Sequence, residues 1–209
     1  MKKVGIINYG MGNIVSVINS IKYLGINYKV IENQKQFSGF SHYILPGVGS
    51  FRAAMKNIKK LGFDEKINQE ITEQKRGLLG ICLGMQLMGF SSTENGNTKG
   101  LGLLKNKVVK FENNKLIKFN LPHIGFNTIK ISSTDSFFFK NIEQNSDFYF
   151  VHSYKMNKEN LKNNYATCTY GQNFLAAFNK ENIFGTQFHP EKSQSNGLKL
   201  LINFLKFNA

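Results

Sequence analysis

The first half of the chain repeats one pattern of apolar and polar positions. Val4 to Ile7 is a short apolar run, which predicts a buried strand. A glycine turn follows over Tyr9-Gly10-Met11-Gly12-Asn13. Ile14, Val17, Ile18, Ile21 and Leu24 then recur at helical spacing until Gly25 stops the helix. Ile26 to Ile31 reads as a second strand. A strand-helix-strand start predicts a parallel sheet covered by helices. The pattern recurs with a strand over His42 to Leu45, helices over about 50–59 and 64–74, a strand over Leu78 to Ile81 and a helix over Leu83 to Phe90. The polar stretch Ser91 to Lys99 reads as a loop.

From Leu101 to Asn179 the period shortens toward two. Strands are expected over Lys107–Phe111, Asn127–Ile131, Asp147–Val151, Tyr165–Tyr170 and Phe174–Phe178. Ile183 to Phe188 is a late strand, and Leu198, Leu201, Ile202 and Leu205 mark a C-terminal helix. The expected architecture is α/β, a mostly parallel central sheet flanked by helices, with an extra strand-rich segment around 101–179. No linker or internal repeat divides it, so residues 1–209 are expected to form a single domain.

Composition adds three constraints. A hydrophobic fraction of 41% speaks against intrinsic disorder. The net charge of +14 invites a nucleic-acid reading, but the cations are mostly Lys scattered among Asn, without a block of five or six like charges. A basic surface would also steer an acidic partner or a phosphorylated substrate. The two cysteines, Cys82 and Cys168, form neither a Cys-x-x-Cys motif nor a metal quartet, which fits a reducing cytoplasm. The start MKKVGIINYG lacks a cleavage site, and no run of 18 apolar residues suggests a membrane span.

Four segments could carry chemistry. Gly10-x-Gly12 lacks the third glycine of a dinucleotide fingerprint, because position 15 is Val15, and reads as a tight turn at a sheet end. Gly80-Ile81-Cys82-Leu83-Gly84 joins an apolar strand to a helix in the G-x-nucleophile-x-G pattern, with Cys in place of Ser. Its glycines suit a sharp turn that lifts the sulfur above the sheet at a helix N-terminus, where the dipole favours thiolate. A buried structural cysteine is the competing reading, and it suits Cys168 better. His189-Pro190-Glu191 offers a base and its orienter, with residues i and i+2 on one face of an extended chain. Pro46-Gly47-Val48-Gly49 could turn backbone N–H groups toward an oxyanion, or be a plain turn. The spacings of His123 and His152 are not ligand spacings, so neither metal nor cofactor is expected. His42 reads as a structural polar residue at a strand start.

Taken in order, these motifs resemble the class I (triad) glutamine amidotransferases. The resemblance runs over nearly the whole chain. The elbow and the His-Pro-Glu triplet are common to the broad class. Pro122-His123-Ile124-Gly125-Phe126-Asn127 and Tyr149-Phe150-Val151-His152-Ser153-Tyr154 resemble the branch of glutaminase subunits that serve imidazole glycerol phosphate synthases. The resemblance implies a flavodoxin-like glutaminase fold and a triad of Cys82, His189 and Glu191. It implies an oxyanion hole from Gly47, Val48, Gly49 and the N–H of Leu83. Glutamine would be held by Gly49, Gln86, Glu94, His152, Ser153 and Tyr154. Asn13, His123, Phe126, Tyr149 and Lys192 would face a (β/α)8-barrel synthase partner that receives the ammonia. Phe126 stands where that branch usually has Trp, which keeps an aromatic ring but removes its indole N–H. Three other readings stay open: a paralogous glutaminase feeding a sugar-modifying synthase, a cysteine hydrolase or protease of similar fold, and a non-catalytic binding module.

Overall fold

The computed structural model describes residues 3–112, 119–133, 136–159, 161 and 164–208. The elements of the first half are β1 (Lys3–Ile7), α1 (Ile14–Tyr23), β2 (Asn27–Ile31), β3 (His42–Gly47), α2 (Phe51–Lys60), α3 (Phe63–Asn68), β4 (Gly77–Cys82) and α4 (Leu83–Leu87). The second half carries β5 (Ser91–Ser92), β6 (Thr98–Lys99), β7 (Lys107–Lys110), β8 (His123–Thr128), β9 (Lys130–Ile131), β10 (Asp147–His152), β11 (Tyr154–Met156), β12 (Tyr165–Tyr170), β13 (Gln172–Lys180), β14 (Ile183–Thr186) and α5 (Gln194–Lys206).

The central sheet has eight strands in the order β2-β1-β3-β4-β14-β13-β12-β9. The ladders from β2 through β14 are parallel, and those from β14 through β9 are antiparallel. β14 is therefore the seam between the two halves. The expected strand-rich segment is split. β9, β12 and β13 extend the central sheet, while β8 and β10 form a two-stranded ribbon. β11-β7-β5-β6 make a small separate sheet.

The sheet divides two apolar layers. Val4 and Ile6 of β1 pack with Val17 and Ile21 of α1 and with Leu200, Leu201 and Phe204 of α5. Ile7 points the other way, toward Ala54, Met55 and Ile58 of α2 and Phe63 and Ile67 of α3. The buried set of α2 is Phe51, Ala54, Met55 and Ile58, the i, i+3, i+4, i+7 stripe of a helix with one face in the core. His42 is buried at the start of β3, where its ring nitrogens reach Ser41 Oγ and the Phe207 carbonyl, the structural role expected of it.

Several boundaries differ from expectation, each for a local reason. The helix after Cys82 ends at Leu87 rather than Phe90. There Gly89 lies so close to the Asn106 carbonyl that a β-carbon would sit 2.8 Å from it, and the chain turns to let Leu101 donate to the Leu87 carbonyl. The stretch expected as a loop over Ser91 to Lys99 is a small hairpin, with Asn95 and Gly96 both at positive φ at its tip. Asn and Gly are the residues that take positive φ most readily, which suits the tip of this five-residue loop. The strand expected over Asn127–Ile131 begins four residues earlier, at His123, and breaks at the buried Ile129. The helix expected over 64–74 widens after Asn68 into a π turn over Gln69–Glu73.

Candidate active site

β4 delivers Cys82 at the carboxyl end of the sheet, beside Gly47 at the end of β3. Cys82 adopts φ 52° and ψ −109°, a left-handed conformation that a residue with a side chain avoids, and α4 begins at the next residue. Such backbone strain costs on the order of 1–3 kcal/mol and persists only where the surroundings enforce it. The flanking glycines show how. A β-carbon on Gly84 would collide with the Leu45 carbonyl oxygen, and one on Gly80 would lie 2.7 Å from the Met85 nitrogen. The turn can close only because both positions lack side chains.

The sulfur faces a cavity of about 470 Å³. Its walls are Val48, Gly49 and Ser50 after β3, Cys82, Leu83 and Gln86 of the elbow and α4, Glu94 of the hairpin tip, and Val151 to Tyr154. All six residues expected to hold glutamine line it: Gly49, Gln86, Glu94, His152, Ser153 and Tyr154. Glu94 sits at the N-terminus of α2, where its carboxylate accepts from the Phe51 N–H at 2.9 Å. That helix has no side-chain cap of its own, so the anion complements its positive end. Of the expected oxyanion group, Val48, Gly49 and Leu83 reach the cavity. Gly47 lies one step behind, buried, and a side chain there would run into the Tyr9 hydroxyl. That hydroxyl is itself buried without a hydrogen-bond partner among the described residues. Burial, and then the nearby Cys82 charge, raise its pKa well above the usual phenol range.

His189 and Glu191 stand outside the cavity wall. His189 Nδ1–H donates to Glu191 Oε1 at 2.7 Å, and both side chains are 3% exposed. The pair is brought together by a 3-10 turn over Pro190–Lys192 rather than by a continuing extended chain. The expected shared face of residues i and i+2 is thus realised differently. Ser193 Oγ locks the turn by donating to the His189 carbonyl at 2.6 Å and accepting from the Tyr149 N–H at 3.0 Å. His189 Nε2 has no hydrogen-bond partner among the described residues. Burial alone would lower the imidazole pKa. The contacts of Cys82 and Glu191 outweigh burial and raise it to about 10. Cys168 lies on β12, away from this constellation, and burial pushes its thiol up to about 12, as suits an inert core residue.

Behind the Val151–Tyr154 wall, His152 and His123 form a neutral pair. His152 Nδ1 is 2.8 Å from the Tyr154 carbonyl, which can only accept, so that nitrogen carries the proton. His152 Nε2 is then bare, and it must accept from His123 Nδ1–H at 3.1 Å. Burial holds His152 at about 3 and His123 at about 4. His123 stacks between Phe150 and Tyr170 and is 2% exposed. This corrects its expected place on a partner-facing surface. β8 alternates, so Ile124 and Phe126 point outward while His123 points in. The other expected surface residues are accessible. Phe126 is 51% exposed and meets Tyr149 edge-on at 5.5 Å, and Lys192 Nζ lies 5.7 Å over the Tyr149 ring. Asn13 is exposed at the start of α1.

Residues 5–207 match the family Glutamine amidotransferase class-I. The chain belongs to that family. Among curated relatives this amidotransferase is 44% identical to imidazole glycerol phosphate synthase subunit HisH 2 of Methanococcus maripaludis, over 97% of this chain and 98% of the relative. It is 43% identical to subunit HisH 1 of Campylobacter jejuni over 97% and 99%, and 38% identical to subunit HisH of Leptospira borgpetersenii over 96% and 98%. Among solved structures, PurLQS of Thermotoga maritima superposes with a TM-score of 0.74 at 18% identity, covering 98% of this chain and 97% of that one. The glutaminase domain of Trypanosoma brucei CTPS, solved with acivicin, superposes at 0.67 and 15%, covering 100% and 96%. These likenesses establish the fold, an α/β class with a central mixed sheet flanked by helices.

Sequence reasoning about this amidotransferase missed Gln187. It is fully buried, and its Nε2 donates to Cys82 Sγ at 3.7 Å. A signal was present, because Gln187 precedes His189 by two residues on the run that follows β14. Tyr9 and Ser193 were also missed as supports of the glycine turn and of the histidine.

Proposed function

We propose that this class-I glutamine amidotransferase is the glutaminase subunit of an imidazole glycerol phosphate synthase. It hydrolyses glutamine to glutamate and ammonia at Cys82 and passes the ammonia to a (β/α)8-barrel synthase partner. One observation carries the chemistry: a cysteine on a strained, glycine-flanked elbow faces a polar cavity and is backed by a buried His189–Glu191 pair. Similarity to HisH subunits over nearly the whole length supports the pathway. The proposed setting is the cytoplasm; among the described residues no helix is long and apolar enough to cross a membrane.

In this reading glutamine lies in the cavity with its α-ammonium toward Glu94 and its side-chain amide at Cys82. Gln86, Gly49 and the His152–Tyr154 wall enclose the amino-acid end. The thiolate attacks the amide carbon while His189 holds the proton, kept there by Glu191. The oxyanion is met by the N–H of Leu83 and by the glycine turn after β3, and each such donor is worth roughly 3–4 kcal/mol in comparable enzymes. His189 gives its proton to the nitrogen, the C–N bond breaks, and ammonia leaves a glutamyl thioester. His189, now neutral, takes a proton from water. The hydroxide adds to the thioester, the C–S bond breaks, and glutamate is released. The sum is glutamine plus water to glutamate plus ammonia. Phe126, Tyr149 and Lys192, with Asn13, form the face offered to the barrel.

Cys82→Ser should lower glutamate release, assayed with the barrel partner present, by at least about a thousandfold. Unchanged turnover would sink the assignment. The gene should also restore growth of a histidine auxotroph lacking only its glutaminase subunit, when the cognate barrel is supplied. Failure there, with glutaminase activity intact, would overturn the pathway and leave the chemistry standing.

A further inference from the structure

We propose that Gln187 is a further catalytic residue: its carboxamide donates a hydrogen bond to Cys82 Sγ and steadies the sulfur as thiolate, and Gln86 fixes the orientation that makes this possible. The inference deepens the reading of Cys82 as nucleophile and rests on it.

The orientation follows from a backbone carbonyl. Tyr154 O can only accept, and Gln86 lies 3.0 Å from it, so the Gln86 nitrogen must face that way. The same nitrogen is 2.9 Å from Gln187, which must therefore present its oxygen. The Gln187 nitrogen is then turned to the sulfur, at 3.7 Å. Flipping either amide would set two NH2 groups or two carbonyls against each other, so the usual ambiguity of a carboxamide is resolved here. The same carbonyl accepts from His152 Nδ1–H, and His152 accepts from His123. Every donor in the path from β8 to the nucleophile is thus assigned.

Burial sharpens the effect. Gln187 is 0% exposed and Gln86 4%, so water does not replace either amide. A donor aimed at a charged acceptor in such surroundings counts for more than one between neutral groups. Gln187 offers no proton to exchange, unlike His189. It can therefore stabilise the sulfur through attack, thioester formation and release without changing its own state. The carbonyl of Val151, 3.7 Å from the sulfur, accepts from the thiol, and the Gln187 amide is the side chain that donates to it.

The titratable groups around the sulfur are Tyr9 and His189, with Glu191 behind His189, and Glu94 and Tyr154 across the cavity. His152 and His123 complete the set on β10 and β8. Substitution of Gln187 leaves all of them in place, so a change in the pH profile reports on the amide. The measurement is the rate of alkylation of Cys82 by iodoacetamide against pH, on the full chain, with the modified peptide identified by mass. In Gln187→Met the rate at neutral pH should fall about tenfold and the profile should move up by about one pH unit. Gln187→Glu should move it further, because a carboxylate beside the sulfur opposes thiolate. A Gln187→Met protein that melts like the wild type and keeps its profile would overturn the proposal. Should Gln187→Met fail to fold, Gln86→Met removes the anchor of the amide and leaves Gln187 in place, and the alkylation readout does not depend on glutamine binding. That variant should shift the profile in the same direction by less, and an unshifted profile would again overturn the proposal. Alkylation needs neither glutamine nor the partner. Failure of the Cys82→Ser test would thus strike the glutaminase reading, and an unshifted profile would strike Gln187 alone.

Discussion

The two halves of the central sheet solve different problems. From β1 through β3 and β4 to β14 the parallel strands are buried and mostly aliphatic or aromatic, while the edge strand β2 exposes Asn27 and Lys29. From β14 to β9, and in the ribbon of β8 and β10, polar groups are threaded through the apolar layer. His123 and His152 lie among Phe111, Phe150, Phe174 and Tyr170. The parallel half holds the reacting atom by steric exclusion. The antiparallel half holds the pocket wall by directed hydrogen bonds. The first kind of order tolerates almost no added volume, and the second almost no change of protonation.

Four experiments would break or sharpen that contrast. The largest effect is expected from Gly84→Ala, whose methyl group meets the Leu45 carbonyl oxygen. It should cost more than about 4 kcal/mol, lower the melting temperature by about 10 °C and abolish glutaminase activity. A near-normal melt would show that the elbow is not sterically set.

The second is acid titration of the antiparallel half. His123 and His152 are held below their unfolded value of 6.5, at about 4 and about 3. Their contribution to stability is present above pH 6.5 and is lost as pH falls through those values, because the unfolded chain takes up protons first. The pair should therefore show a falling urea midpoint as pH drops from 6.5 toward 4. His123→Gln should flatten that slope.

The third lies just past the seam strand, in the turn over Pro190–Lys192. Glu191→Gln should reduce glutaminase turnover about a hundredfold while leaving residual activity, because the third group orients rather than attacks. His189 runs opposite in sign to the other two histidines. Its pKa is raised to about 10, so its stabilising effect is complete below pH 6.5 and drains away as pH climbs through about 10. In Glu191→Gln that loss should begin at lower pH. The smallest effect on the chain itself is expected from Phe126→Ala. Its melting temperature should stay within about 2 °C, while affinity for the proposed barrel partner falls about tenfold, read by titration calorimetry.

The parallel half was the more legible in sequence for the same reason that it is rigid. Val4, Ile6 and Ile7, then the α1 and α2 stripes, state their faces through hydrophobic period alone. The elbow was legible because glycines on both sides of a cysteine have few other uses. The second half was harder. The strand from His123 starts with a histidine whose burial depends on Tyr170 and Phe150, partners distant in sequence. The hairpin around Asn95-Gly96 read only as a polar loop, because its strands of two residues are too short for a period. Gln187 was invisible because a buried amide is recognised by what it faces, and it faces residues 101 and 105 positions away in the chain.

The seam strand β14 carries a consequence for how this chain can change length. The run that follows it sets Gln187 and His189 toward Cys82, with Phe188 between them stacked on Phe148 at 4.1 Å. Inserting or deleting one residue between Ile183 and Gln187 would exchange those faces, burying the imidazole in the phenylalanine layer and turning Phe188 toward the sulfur. The hairpin tip at Asn95-Gly96 has no such parity to keep. Lineages of this amidotransferase should therefore vary in length at the tip and keep the count from β14 to Glu191 unchanged.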